Sequence, residues 1–236
     1  IKATSLPFED MARLFNDISF NCIGVSFKAL KGHRTMPPIE RLLQGFSSLR
    51  ENYFENDNTL FEQLSREGQK PSTLLIACSD SRVDPAILFG VEPGDLFIVR
   101  NVANLVPPYE PDARLHGTSS AIEFAVRDLE VSHIIILGHS NCGGIHALCR
   151  HLQGERLERD FIERWVSIAA DAVKPHVRDE PSCSEQAAIR ASAENLKTFP
   201  WITERVESGG LSLHGWWFDL DVGELTVISE VDALSV

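Results

Sequence analysis

Continuous apolar runs alternate along this chain with stripes of apolar residues at helical spacing. Thr73–Ala77 and His133–Leu137 are runs of strand length and read as buried strands. Leu96–Arg100, after the turn Pro93-Gly94-Asp95, reads as a third. Leu211–Leu220 and Glu224–Ser229 are strand-like, and Asp221-Val222-Gly223 between them reads as a hairpin turn. A helix is predicted from Met36 to Phe54, where Ile39, Leu42, Leu43, Phe46, Leu49 and Tyr53 recur at helical intervals. A second runs from Gly117 to Leu129 with Ile122, Ala125, Val126 and Leu129 on one face, and a third begins near Gly143. Asp160–Lys174 and Glu185–Lys197 complete the helices. This βα alternation predicts an α/β fold: a central, mostly parallel β-sheet flanked by helices, with an antiparallel edge strand.

At 236 residues the chain suits one domain with ample length for a core. The pattern separates residues 1–35, an N-terminal extension, from a single α/β domain over 36–236. The extension has weak periodicity and ends in Lys28, Lys31, His33 and Arg34; it reads as flexible or as packing on a partner subunit. Met36 fits a natural start. A transit remnant is the rival reading, which Glu9, Asp10 and Asp17 suit poorly. The net charge of −12 disfavours nucleic acid and anionic membranes as partners, and leaves any anion site to be built locally. No apolar run approaches the ~18 residues that suggest a membrane span. Five cysteines, of which Cys22, Cys149 and Cys183 show no framework spacing, point to a reducing cytoplasmic setting. An organelle stroma or matrix follows instead if residues 1–35 are a transit remnant.

The chemistry concentrates at two strand ends. Cys78-Ser79-Asp80-Ser81-Arg82 follows the apolar run Thr73–Ala77, and His139-Ser140-Asn141-Cys142-Gly143-Gly144 follows the apolar run His133–Leu137. Sites in open α/β sheets are built at that edge. Cys78, His139 and Cys142 offer two thiolates and an imidazole, the ligand set of a Zn2+ site with one position open. Cys78 has no CxxC partner, and a carboxylate and a guanidinium follow it at once, which reads as catalytic. His146 is a competing ligand, one helical turn from Cys142. Asp80 and Arg82, two residues apart on a loop, can pair side by side.

With Arg100-Asn101-Val102-Ala103-Asn104 and the segment from Gly117 to Val126, these motifs resemble the β-class carbonic anhydrases over about Met36 to Glu230. The resemblance implies the β-carbonic anhydrase fold and zinc-dependent, reversible hydration of carbon dioxide to bicarbonate and a proton. It implies one zinc per chain on Cys78, His139 and Cys142, with Asp80 orienting the nucleophile and Arg82 holding Asp80 ionised. Gln69 and Phe97 match substrate-binding positions contributed across a dimer interface, so the resemblance implies a homodimer or higher homo-oligomer. Gly143 and Gly144, at a helix N-terminus, can turn backbone N–H groups toward bicarbonate. Members whose Asp swings onto the metal carry a Trp three residues before the first Cys; Leu75 stands there, which favours the open form. Plant members carry Tyr and His where Phe124 and Asp128 stand, so the proton route departs from theirs, with His116 and His146 as candidate substitutes. Hydrolysis of carbonyl sulfide or carbon disulfide on the same scaffold is the alternative enzyme, and a zinc-stabilised binding protein the alternative of another class.

Overall fold

The computed structural model describes residues 37–112 and 115–228 of the chain, so the whole extension, with Cys22, and the expected start at Met36 lie outside the described residues. The chain divides into two compact units, Ile1–Arg66 and Glu67–Val236. In the first, α1 (Pro38–Arg50) starts on prolines whose fixed φ suits a first turn. A wider π-type turn, Glu51–Asn56, ends it before α2 (Thr59–Glu67). The Phe61 ring meets Tyr53 and Phe54 at centroid distances of 5.6 and 4.7 Å. Ile39, Leu42, Leu43 and Phe46 along α1 are exposed.

In the second unit, β1 (Thr73–Cys78), β2 (Leu96–Asn101), β3 (His133–His139), β4 (Ser212–Asp219) and β5 (Glu224–Ile228) form one sheet in the order β2-β1-β3-β4-β5. The pairings of β1 with β2 and β3, and of β3 with β4, are parallel; β5 alone runs antiparallel, joined to β4 by the expected turn. Alternation sends Leu74, Ile76, Ile134, Ile136 and Leu213 to one face, under the long helix Pro181–Lys197 and the helix Gly117–Glu123. Leu75, Ala77, Ile135 and Leu137 pack on the other face with Leu88, Phe89 and Trp216. A third apolar cluster caps the C-terminal ends of the central strands and includes Cys78 and Cys142. The metal-ligand candidates therefore sit in a packed end-layer of the core.

Helices are numbered onward as α3 (Pro85–Phe89), α4 (Gly117–Glu123), α5 (Gly143–Leu152), α6 (Ile162–Val166), α7 (Ala170–Val173), α8 (Pro181–Lys197) and α9 (Pro200–Glu207). The expected helix Gly117–Leu129 opens into a π-type turn over Phe124–Asp128, where the Leu129 N–H reaches back to Phe124 O at 3.0 Å. Asp160–Lys174 is not one helix. Short 3-10 turns break it at Ser167–Ala169 and Lys174–His176, the second containing Pro175, which has no N–H to continue an α-ladder. α3 and α9 escape the periodicity because both are short; α3 is made by its cap, Asp84, whose Oδ1 accepts the Ala86 N–H at 3.0 Å.

Candidate metal centre

Cys78 ends β1, His139 ends β3, and Cys142 is the N-cap of α5. Parallel pairing of β1 with β3 aligns the two strand ends, so ligands 61 residues apart in the chain become neighbours. Their ligand atoms all lie within 4.8 Å of one another, and the two sulfurs are 4.0 Å apart. Two thiolates on one tetrahedral zinc, at ~2.3 Å each, would stand about 3.8 Å apart. All three residues are buried. His139 Nδ1 lies 2.8 Å from Ser140 O, which fixes the ring, while Nε2 is buried with no hydrogen-bond partner. A buried ring nitrogen without a partner, aimed at two sulfurs, fits a zinc ligand oriented from behind by a backbone carbonyl. His146 is exposed and lies outside this cluster. Cys142 does lie one turn before His146, whose N–H donates to Cys142 O at 2.9 Å, but the His146 side chain is not part of the cluster.

Glycine is required at two close approaches. A Cβ on Gly144 would stand 2.8 Å from Val102 Cγ1 and 2.9 Å from Ala103 Cβ, so its absence lets α5 close on the turn Val102–Asn104. A Cβ on Gly138 would meet Ile189 Cδ1 at 2.6 Å, and its absence lets α8 close on β3. Gly143 has open space around it. In the Val102–Asn104 turn, buried Ala103 adopts φ 65°, a left-handed conformation costly for a residue with a side chain, and donates its N–H to Cys78 Sγ at 3.3 Å.

The electrostatics follow from this crowding. The Cys142 thiol beside it lowers the Cys78 pKa against the cost of burial, so Cys78 carries the first thiolate. Cys142 is correspondingly raised, by that same contact and by burial. Burial opposes a charged ring at His139, but the Cys78 sulfur, the Ser140 carbonyl and the Asp80 carboxylate together outweigh it and raise the His139 pKa. Asp80 accepts Arg82 Nε on Oδ1 at 3.0 Å and Arg82 Nη2 on Oδ2 at 2.7 Å. The guanidinium holds its carboxyl well below the usual carboxylate range. Asp80 Oδ2 is also 4.0 Å from His139 Nε2, so the carboxylate faces the open side of the ligand cluster. Arg82 Nη2 reaches on to Asn141 O at 3.1 Å and ties the two ligand loops together.

Four residues that the motif reading did not assign prove to shape the site. Arg100 donates to Cys78 O at 3.0 Å and Asp80 O at 2.7 Å, and pairs with Asp84 at 2.7 Å, clamping the whole Cys78–Asp84 loop. Ala103 supplies the N–H to sulfur. Both lie in the Arg100–Asn104 run, whose motif was itself the available signal. Glu185 and Trp217, from α8 and β4, carry no such local signal: Glu185 Oε1 accepts the Cys142 N–H at 3.1 Å and Oε2 accepts Trp217 Nε1 at 3.0 Å. Burial raises the Glu185 pKa, opposed by those two hydrogen bonds. Gln69 is exposed, and Phe97 is level with Leu74 in the β1–β2 register, about 13 Å along the strand from Cys78. Within one chain, neither is brought to the cluster. Phe97 instead meets Phe124 at a centroid distance of 5.8 Å. Phe124 and Asp128 line a surface cavity of about 410 Å³ with Ser120, Glu123 and Arg127.

The family model described as carbonic anhydrase matches residues 73–225, which contain every residue of this cluster. The chain belongs to the carbonic anhydrase family. β carbonic anhydrase 5, chloroplastic, of Arabidopsis thaliana is 40% identical over 184 residues, covering 75% of this chain and 60% of that protein. The chain thus spans about 60% of the length of that relative. Among solved structures, the β-carbonic anhydrase CcaA superposes with a TM-score of 0.74 at 36% identity, covering 83% of this chain and 97% of that one. Tetrameric β-carbonic anhydrases of the ascomycete Sordaria macrospora give 0.63 at 28% identity, over 86% and 95% of the respective chains. These relatives place the family membership in the β class, and the mostly parallel five-stranded sheet is the β-carbonic anhydrase fold.

Proposed function

We propose that this protein interconverts carbon dioxide and water with bicarbonate and a proton, using zinc held by Cys78, His139 and Cys142. The observation that carries the reading is the buried His139 ring, one nitrogen of which lies within 4.8 Å of both sulfurs, with its Nε2 partnerless and the ionised Asp80 carboxylate 4.0 Å from that Nε2. Zinc bound there would lower the pKa of a water from ~15.7 to about 7 and so supply a nucleophile at neutral pH. Asp80, held ionised by Arg82, offers only acceptor lone pairs. An O–H must therefore face it, which leaves the attacking oxygen's lone pair directed at the carbon of carbon dioxide. Gly143, exposed at the start of α5, would in this reading turn its N–H toward an anion, while Gly144 serves by close packing.

Gln69 and Phe97 enter the site from a neighbouring subunit in this reading: Gln69 donates its amide N–H to a substrate oxygen and Phe97 supplies apolar wall. The distance of Phe97 from the ligands of its own chain supports that assignment, as does the edge position of β2 with Ile98 exposed. The tetrameric fungal relatives are in keeping with a homo-oligomer. The apolar face of α1 is a candidate for the same contact. Residues 36–236 act as the catalytic part and 1–35 as an extension. Among the described residues no helix is long and apolar enough to cross a membrane. The four cysteines among them are all free, which supports a reducing compartment, the cytoplasm or an organelle interior such as that of the chloroplast relative.

Stopped-flow carbon dioxide hydration, with and without prior chelation, tests the reading. Activity that needs about one zinc per chain is expected; hydration unaffected by complete zinc removal would overturn it. Parallel assays on carbonyl sulfide and carbon disulfide are expected to show little turnover, since the named relatives are carbonic anhydrases.

A further inference from the structure

Glu185 is the most deeply buried carboxylate among the described residues, 3% exposed, and neither oxygen touches a cation. Both oxygens instead accept N–H groups. One donor is the backbone amide of Cys142 at 3.1 Å, and the other is the indole of Trp217 at 3.0 Å. Burying a carboxylate is costly unless hydrogen bonds offset the lost hydration, and these two donors are the compensation that the structure shows. The packing around it is specific. Ile189, one turn further along α8, fills the space that a side chain at Gly138 would take, so α8 approaches β3 closely just before His139. That approach carries Glu185 to the amide of the third ligand.

We propose that Glu185 is a positioning residue for the metal centre: its carboxylate holds the Cys142 amide, and so the direction of the Cys142 sulfur, while Trp217 holds Glu185. The inference rests on the zinc reading above. Cys142 sits in extended backbone at the cap of α5, outside the helical ladder, so its own amide has no intrahelical partner to fix it. Glu185 supplies the missing constraint from a different element. The two requirements on residue 185 are acceptor-only chemistry at both atoms and enough length to span from α8 to both donors. Glutamate meets them and glutamine does not: an amide must turn its NH2 toward one of the two N–H groups.

Chelator competition on the purified protein, read by zinc content, tests this. Glu185→Gln is expected to weaken zinc binding by about 10- to 100-fold, the range usual for loss of an outer partner of a ligand. With cobalt in place of zinc, the thiolate charge-transfer band is expected to shift. Trp217→Phe in the Glu185→Gln background removes one of the competing donors, so the double variant is expected to hold zinc more tightly than Glu185→Gln alone. Should Glu185→Gln not yield folded protein, Trp217→Phe alone, which frees one oxygen, is expected to weaken zinc binding to a smaller extent. Zinc affinity and cobalt spectrum equal to those of the unmodified protein, whatever happens to thermal stability, would overturn the positioning role alone. An unmodified protein that takes up no zinc would overturn the role and the reading beneath it together.

Discussion

Arg82 grips Asp80 through two nitrogens on two oxygens, at 3.0 and 2.7 Å, while the same Asp80 oxygen that takes the shorter bond lies 4.0 Å from His139 Nε2. The pair is therefore bidentate and aimed, unlike an ordinary surface ion pair, whose worth is small. Replacing Asp80 by Asn keeps the shape, removes the charge and presents an NH2 donor where an acceptor is needed. Turnover is expected to fall by about 10²–10⁴-fold, with zinc content unchanged. Near-normal hydration by Asp80→Asn would leave Asp80 as loop structure only.

The pH dependence follows from the direction of the Asp80 shift. Its folded pKa lies below the unfolded value of ~3.9, so the stability it contributes is complete above that value. That contribution is lost only as pH falls below ~3.9 toward the depressed folded value. Any acid limb of the hydration rate near neutrality must then come from another group, and Asp80→Asn should lower that limb without moving its midpoint. A midpoint displaced by about one pH unit or more in the variant would show that Asp80 titrates there after all.

Zinc uptake should release protons, and the two cysteines should contribute unequally. Cys78, lowered by Cys142, is already a thiolate at pH 7, whereas Cys142 is raised and gives up its proton only to the metal. Calorimetric titration of the zinc-free protein at pH 7 in buffers of different ionisation heat is expected to show about one proton from the thiols. Cys142→Ala should lose both that release and stoichiometric zinc. Full zinc occupancy in Cys142→Ala would revive His146 as a ligand.

In the proposed reaction each cycle exports a proton, and Phe124 and Asp128 stand in their shared cavity where plant-type relatives are expected to carry Tyr and His. Small buffers must then collect the proton, so kcat should rise with buffer concentration while kcat/KM stays flat. Phe124→Tyr with Asp128→His should raise turnover at low buffer. A kcat independent of buffer in the unmodified protein would give the role to another group, such as His116, which is tied to Asp112 at 2.7 Å.

The ligand types, their places at strand ends and the Asp80–Arg82 pair were legible in the chain, because each depends on neighbours within a few residues. An apolar run of five residues followed by Cys-Ser-Asp-Ser-Arg announces a strand and the loop that it delivers. The parallel sheet with one antiparallel edge was legible for the same reason, since periodicity and the Asp221-Val222-Gly223 turn are local signals. The preference for His139 over His146 came from the family resemblance; the structure adds the burial of His139 beside both sulfurs, with His146 exposed and outside the cluster. The strained Ala103, the Arg100 clamp and the Glu185–Trp217 pair likewise arise where segments separated by 22 to 43 residues meet: Ala103 and Arg100 on Cys78, Glu185 on Cys142. Nothing in the periodicity of α8 marks Glu185 as buried, because an acidic residue reads as solvated until packing decides which face of the helix the sheet covers. Local chemistry marks the candidate ligands; the close approaches at Gly138 and Gly144, which only the tertiary structure decides, bring α8 and the Val102–Asn104 turn against the elements that carry them.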